Sequence, residues 1–245
     1  MSDKPARTEP PTRKAVLPMI VAVVAALATV ALLVAPAVFG LGSDDSDSDA
    51  PAAVVHDEEQ GEGLVGVERR IPDDPLALGE VDAPVVMVNY SEFQCQFCGK
   101  FARDTKPSLM KYVEDGTLRI EWRDFPYLGE ESVTAAIAGR AAAEQGRFWE
   151  FHDALFADQQ PPNSGRVTED FLVGLAEKAG LDVEQFTADR ADPELAEAVG
   201  RDFDQGQGIG VNGTPAFLVN GQPIMGAQPT EVFVDAIDQA AADAE

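Results

Sequence analysis

The sequence predicts an α/β domain in which helices cover both faces of a central sheet. Three observations support this fold class. Short apolar runs typical of buried strands alternate with helices, a helical block at about residues 129–205 interrupts the alternation, and a hairpin signal followed by one more helix closes the chain. Residues 65–245 are enough for a single domain with a substantial core.

The first predicted strand and the helix after it flank the cysteines of the chain. Residues 85–90 form a β-rich apolar run, which predicts a buried strand. Residues 91–94 then turn the chain into a helix that we expect to begin near Cys95 and to end at Gly116. The alternation of apolar and polar residues over 118–123 predicts the second strand.

Helical patterns fill the block that follows. They cover residues 132–145, 147–156, 168–179 and 192–203, with breaks at Gly146, Pro161, Gly180 and Pro193. His152 lies in the second of these helices, among aromatic residues, and we expect it to be a packing or surface residue.

A hairpin and one helix complete the predicted domain. The pair Asn220-Gly221 separates two short apolar runs, residues 216–219 and 222–225, and such a pair is the strongest local signal for a β-hairpin. Residues 230–242 predict the last helix.

Cys95 and Cys98, three positions apart, are the only cysteines of the sequence. A disulfide that closes so short a ring stabilises the fold by only about 2 kcal/mol, so the pair is a weak structural staple. A cysteine at a helix N-terminus has a lowered pKa and reacts as a thiolate. We therefore predict a redox pair in which Cys95 is attacked and Cys98 is the resolving partner.

Metal binding is the alternative use of the same cysteines. A zinc site needs four ligands, and only His56 and His152 could add imidazoles, so such a site is not readily completed. Copper(I) accepts fewer and softer ligands, and a copper(I) carrier stays open as an alternative function. The redox hypothesis itself requires no metal and no organic cofactor.

The N-terminal part of the sequence predicts a membrane-anchored protein. Residues 15–42 carry no charge and are long enough to span a bilayer as one transmembrane helix. Residues 1–14 hold four basic side chains, so the positive-inside rule keeps them in the cytoplasm and makes everything after residue 42 extracytoplasmic. A cleaved signal peptide is the alternative, with Ala35-Pro36-Ala37 as its small-residue site, and it also exports the cysteines.

The exported part is strongly acidic. Residues 43–64 are acidic and poor in large apolar side chains, which predicts a disordered tether. The formal net charge of the whole sequence is −25, and residues 1–14 contribute +2, so residues 43–245 carry −27. A surface this acidic repels nucleic acid and anionic lipid headgroups.

The chain resembles the DsbA-like branch of the thioredoxin superfamily, whose members are extracytoplasmic thiol-disulfide oxidoreductases. The resemblance covers nearly all of residues 72–245. It rests on five motifs in the same order, namely Ala83-Pro84, Phe93–Cys98, Arg123–Pro126, Gly146–Trp149 and Gly210–Phe217.

This resemblance implies a thioredoxin fold with an inserted helical subdomain, an exposed Cys95 thiol and a buried Cys98 thiol. It also implies that Pro215 is cis beside the cysteines and that the backbone of Thr214 pairs with a bound substrate strand. The implied activity is that of a dithiol oxidase acting on exported proteins with cysteine thiols. A quinone-linked membrane partner of the DsbB or VKOR kind would reoxidise it.

Two departures from the family pattern concern the redox potential. The strand position six residues before the first cysteine is often acidic in the family, and here it is Asn89. Glu92 is the nearest carboxylate in sequence and is a candidate to replace it in part as a redox-tuning residue, although we expect this turn residue to be solvated. The dipeptide between the cysteines is Gln96-Phe97, without the family's common proline or histidine. A reductase on the same fold therefore stays open as an alternative.

Overall fold

The computed structural model describes residues 66–244. The predicted cytoplasmic segment, transmembrane anchor and acidic tether, which together make up residues 1–64, lie outside this range. Within residues 66–244, no helix is both long and apolar enough to cross a bilayer.

A five-stranded mixed sheet forms the centre of the domain, in the order β1-β3-β2-β4-β5. The central strand β2 runs parallel to β3 and antiparallel to β4, and all seven of its residues are buried. The predicted strands and hairpin are confirmed, whereas β1 was missed because two residues show no periodicity. The strands are β1 (Ala77–Leu78), β2 (Val85–Ser91), β3 (Leu118–Asp124), β4 (Ala216–Val219) and β5 (Gln222–Met225).

The helix that starts at the cysteines is continuous but changes its winding. It consists of α1 (Gln96–Lys100), a π-helical turn (Phe101–Thr105) and α2 (Lys106–Glu114). A π-turn within a longer helix often occurs next to a functional site. The sequence predicted the extent of this helix but not the change of winding.

The inserted helices run from Glu130 to Gly208, close to the expected block. They are α3 (Glu130–Glu144), α4 (Phe148–Ala157), α5 (Glu169–Lys178), α6 (Val183–Asp189) and α7 (Pro193–Gly208), and α8 (Thr230–Asp243) follows the hairpin. The sequence did not predict α6, which is only seven residues long and lies between two breaks.

Helices cover both faces of the sheet, as the sequence predicts. On one face, Phe217 of β4 packs against Phe101 of the π-turn and Phe233 of α8. On the other face, Tyr90 of β2 belongs to an apolar cluster that includes Phe203 of α7.

A further core joins the inserted helices to the cysteine-bearing turn. Phe93 stacks on Trp122 of β3, with 5.1 Å between ring centroids, and contacts Phe148 and Phe156 of α4. His152 is buried among these rings, and burial lowers its pKa to about 4. The prediction that His152 is a packing residue is confirmed.

Buried charges link α7 and Arg69, which lies near the start of the described residues, to the end of β3. Asp202 of α7 is 1% exposed and accepts hydrogen bonds from Arg69, from Arg140 and, at 3.2 Å, from the backbone N–H of Asp124. Arg140 also donates to the Asp124 carboxylate at 2.6 Å. This network links α3 and α7 to Asp124, the last residue of β3.

The variant Asp202→Asn tests that network, because it keeps the shape of the side chain but removes the charge that faces two guanidinium groups. Breaking a buried ion pair from one side costs about 3 to 5 kcal/mol, and we expect the free energy of unfolding to fall by about 3 kcal/mol. Urea unfolding of the full-length chain measures this loss. The control is Asp204→Asn in the same helix, which is exposed and should change the free energy by about 0.5 kcal/mol or less. Equal losses for the two variants would contradict the role of Asp202.

Candidate active site

Cys95 is the N-cap residue of α1, at the point where the chain leaves the sheet and enters the helix. Its backbone is extended, with φ −72° and ψ 115°, and its sulfur accepts a hydrogen bond from the backbone N–H of Cys98 at 3.4 Å. An N-cap side chain binds N–H groups that have no partner inside the helix. The positive end of the helix dipole therefore faces the Cys95 sulfur.

Both cysteines are buried, and the structure describes them as free thiols. Cys95 is 4% exposed and Cys98 is 1% exposed. The resemblance implies an exposed Cys95 thiol, and that prediction is wrong because Cys95 is only slightly more exposed than Cys98. The cover over Cys95 includes the segment at Thr214, which the chain brings back against its sulfur. The dipeptide between the cysteines is on the surface instead, with Gln96 exposed and Phe97 exposed to 65%.

Thr214 and Pro215 lie beside the cysteine pair. The peptide bond between them is cis. The Cys95 thiol donates a hydrogen bond to the Thr214 carbonyl at 3.3 Å, across 119 positions of sequence. This approach follows from the sheet, because β4 begins at Ala216 directly opposite Tyr90 of β2.

The two thiols differ strongly in acidity. The pKa of Cys95 is lowered to about 6, chiefly because the Cys98 thiol donates to its sulfur. The side chain of Thr214 and the backbone N–H groups of Phe97 and Cys98 add to this effect, and burial opposes it. The pKa of Cys98 is raised well above its usual value, first by burial and then by Cys95. Near neutral pH, Cys95 is the thiolate and Cys98 keeps its proton.

Glu92 is buried, so the prediction that this turn residue is solvated is wrong. It is 2% exposed, and neither of its carboxylate oxygens has a hydrogen-bond partner among the described residues. The turn is covered because the inserted helices pack over it, and Gln94 donates to the Ser132 hydroxyl of α3 at 2.8 Å. Burial raises the pKa of Glu92 to about 7; the Ser132 side chain opposes this rise, and the neighbouring charge of Cys95 adds to it.

Asn89 occupies the strand position that is often acidic in the family that the chain resembles. It is 3% exposed and shares a face of β2 with Met87, and its side-chain oxygen has no hydrogen-bond partner among residues 66–244. A neutral amide cannot accept a proton from a thiol at neutral pH. Of the four candidate tuning residues, Asn89, Glu92, Gln96 and Phe97, only Glu92 carries a group that can take up and release a proton near neutral pH.

Ser91 and Tyr127 also belong to this site, although they were not predicted from the sequence. The Ser91 side chain, at the end of β2, opposes the rise in the pKa of Cys98. Tyr127 is 43% exposed, and its pKa is raised, first by burial and further by the charges of Cys95 and Glu92. Its position directly after the Arg123–Pro126 motif is the one sequence signal that could have identified it.

Metal ligands do not cluster in this part of the chain. Among residues 66–244, no group of three or more His, Cys, Asp or Glu side chains is arranged to hold a metal ion. His152 contacts Asp153, with 2.7 Å between its Nδ1 and the carboxylate, and His56 lies outside the described residues.

Sequence comparison finds relatives for this domain. A family model for thioredoxin matches residues 72–239. The probable disulfide bond formation protein D of Bacillus cereus is 33% identical over 150 residues, which are 59% of this chain and 69% of that protein. The Na(+)/H(+) antiporter NhaA 1 of Salinispora arenicola is 34% identical over 172 residues, 69% of this chain but only 25% of the antiporter.

Structure comparison agrees with the sequence relatives. The crystal structure of oxidised BdbD from Bacillus subtilis matches with a TM-score of 0.64 and 25% sequence identity. The match covers 69% of this chain and 94% of that chain.

The variant Glu92→Gln tests the buried carboxyl through the pH dependence of stability. The folded-state pKa of about 7 lies above the unfolded value, so the folded protein holds this proton more tightly. The resulting stability is fully present below about pH 4.5 and is lost as the pH rises through about 7, up to about 3 kcal/mol. Glu92→Gln should remove that loss.

The measurement is the free energy of urea unfolding of the reduced full-length chain at pH 5 and pH 8. The decrease between these pH values should be smaller in Glu92→Gln than in the wild type by up to about 3 kcal/mol. Glu177→Gln, on the exposed face of α5, is the control and should leave the decrease unchanged. An unchanged decrease in Glu92→Gln would show that Glu92 is solvated.

Proposed function

The chain belongs to the DsbA-like branch of the thioredoxin family and is a thiol-disulfide oxidoreductase, and on this basis we propose that Cys95 and Cys98 are its redox pair. The observation that carries the proposal is the Cys95 sulfur at the start of α1, with a pKa of about 6 beside a thiol that stays protonated. This asymmetry assigns Cys95 as the sulfur that exchanges with substrate and Cys98 as the resolving sulfur.

The proposed oxidation proceeds in two exchange steps. A substrate thiolate attacks the Cys95 sulfur of the Cys95–Cys98 disulfide, and the disulfide breaks with Cys98 as the leaving thiolate. The second substrate thiolate attacks the substrate sulfur of this mixed disulfide, so that Cys95 leaves as a thiolate and the oxidised substrate departs. Of the two substrate protons, one is bound by Cys98, and the other passes to solvent when Cys95 stays ionised.

Glu92 is proposed to supply the proton that the Cys98 thiolate takes up. Cys98 leaves as a strong base, because burial raises its pKa, and needs a proton at once. Glu92 is buried in the same turn, without hydrogen-bond partners, and it is partly protonated near neutral pH. We assign it as a proton donor and acceptor in place of an acidic residue at Asn89.

Substrate binding is proposed to use the surface around Thr214 and Pro215. The backbone of Thr214 would pair with an extended substrate segment next to Cys95, as the family resemblance implies. Ionisation of Cys95 removes its hydrogen bond to the Thr214 carbonyl and frees that acceptor for the substrate. The exposed rings of Phe97 and Tyr127 offer apolar contacts to the same segment.

The proposed direction is oxidation, because relatives of the chain are named disulfide bond formation proteins, and the acidity of Cys95 is compatible with it. The equivalent cysteine has a pKa of about 7 in thioredoxin, whose potential is about −270 mV, and a pKa of about 3.5 in DsbA, at about −120 mV. A pKa of about 6 places Cys95 on the oxidising side of thioredoxin. Each unit by which this pKa falls adds about 30 mV of oxidising power. Gln96 and Phe97 between the cysteines are the residues expected to tune it further.

The catalytic domain is extracytoplasmic and acts on exported proteins that carry cysteine thiols, as its relatives indicate. We propose that residues 15–42 anchor it in the cell membrane with residues 1–14 in the cytoplasm. Residues 43–64 would be the tether, and residues 65–245 the catalytic domain with its inserted helices. A quinone-linked membrane protein of the DsbB or VKOR kind is the proposed oxidant for the reduced pair.

Oxidation of a reduced dithiol peptide by the full-length disulfide form tests the proposal. The wild type should oxidise about one peptide per chain, whereas Cys95→Ser and Cys98→Ala should oxidise none because neither can form the disulfide. The two variants separate the roles of the sulfurs. Cys98→Ala keeps the Cys95 thiol at the start of α1 and should accumulate a mixed disulfide when it is given an oxidised peptide, whereas Cys95→Ser should not. An adduct that forms mainly on Cys98 of the Cys95→Ser variant would overturn the assignment.

A further inference from the structure

Gln159, which follows α4 in the inserted subdomain, contacts the backbone of the cysteine-bearing turn. Its side-chain Nε2 donates two hydrogen bonds, to the carbonyl oxygens of Phe93 and of Cys95, each at 2.9 Å. These bonds cross 66 and 64 positions of sequence. The redox chemistry derived above makes no use of this side chain.

The other end of the same amide fixes its orientation. Nη1 of Arg103, in the π-turn, lies 3.4 Å from Oε1 of Gln159 and donates to the Phe156 carbonyl at 2.6 Å. The Gln159 oxygen therefore faces a guanidinium group, and its NH2 group faces two carbonyls. The reverse orientation would place donor against donor and acceptor against acceptor.

Gly99 provides the space for this side chain. A Cβ atom built on Gly99 would lie 2.2 Å from Oε1 of Gln159 and 2.6 Å from Nη1 of Arg103. No Cβ atom tolerates such distances, so Gln159 occupies the position that any other residue at 99 would need. The glycine at position 99 thus leaves room for the Gln159 side chain and is not needed for a tight turn.

The bonds from Gln159 act on the backbone that orients the Cys95 sulfur. The Cys95 carbonyl accepts from Gln159 and, at 3.0 Å, from the N–H of Gly99 in the first turn of the helix. Two donors on one carbonyl hold the extended ψ of 115° that makes Cys95 an N-cap. In that conformation its sulfur accepts the Cys98 N–H at 3.4 Å.

We propose that Gln159 is a positioning residue for the reactive sulfur: it fastens the Cys95 carbonyl to the inserted subdomain and so keeps the Cys95 thiolate at the helix N-terminus. The inference rests on the proposed redox role of Cys95. It gives the inserted helices a part in the chemistry, because a side chain between α4 and α5 maintains the acidity of a thiol in the thioredoxin core.

The test is the pH dependence of alkylation by iodoacetamide on the reduced full-length chain, with the modified residue identified by mass spectrometry. Gln159→Met keeps the length of the side chain and removes both donated hydrogen bonds. The midpoint of Cys95 alkylation should rise by about one pH unit, and alkylation at pH 6 should slow about fivefold. Gly99→Ala, which expels Gln159 without altering it, should move the midpoint in the same direction.

Gln160→Met is the matched control, because the Gln160 amide bonds only to Asp158 of its own loop. It should leave the midpoint unchanged. If Gln159 had only a structural role, the variants would have a lower melting temperature and an unchanged alkylation midpoint. This result in both Gln159→Met and Gly99→Ala overturns the inference. A shifted midpoint in a protein whose wild type fails to oxidise peptides would refute the proposed function and leave the positioning role intact.

Discussion

The hydrogen bond from the Cys98 N–H to the Cys95 sulfur at the start of α1 is the interaction on which the rest of the site depends. A thiolate there is stabilised chiefly by the Cys98 thiol, and also by the N–H groups at the start of the helix and by the helix dipole. The surrounding elements converge on this one atom. The cysteine-bearing turn follows strand β2, and Thr214, just before β4, lies against the Cys95 sulfur. Gln159, between α4 and α5 of the inserted subdomain, donates to the Cys95 carbonyl.

The carboxyl group of the site comes from an unusual place. In the resembling family it often comes from the strand, but here that strand residue is the neutral Asn89, and the turn residue Glu92 is buried instead. A buried carboxyl near the thiols has the same physical consequence from either position, since burial raises its pKa into the range where it exchanges protons at neutral pH. The two residues are three positions apart and both are buried, but only Glu92 carries a carboxyl group.

Much of the fold could be predicted from the sequence, because the strands, the hairpin and most helices carry strong local periodicity. The cysteine pair could also be predicted, since its position between a strand and a helix is a local property. The burial of Glu92 could not be predicted, because it depends on α3 packing over the turn. The sequence of a short turn, taken alone, predicts exposure to solvent. Gln159 gave no local signal at all, since its partners are more than 50 positions away.

The central claim is that the N-terminus of the helix holds Cys95 as a thiolate in the reduced protein. The reduction potential of the full-length chain, equilibrated with glutathione from pH 4.5 to pH 8, tests it most directly. Reduction takes up two protons below the pKa of Cys95 and one above it, so the slope should change from about 59 to about 30 mV per pH unit. The account predicts this change near pH 6. A single slope of about 59 mV per pH unit up to pH 8 would contradict it.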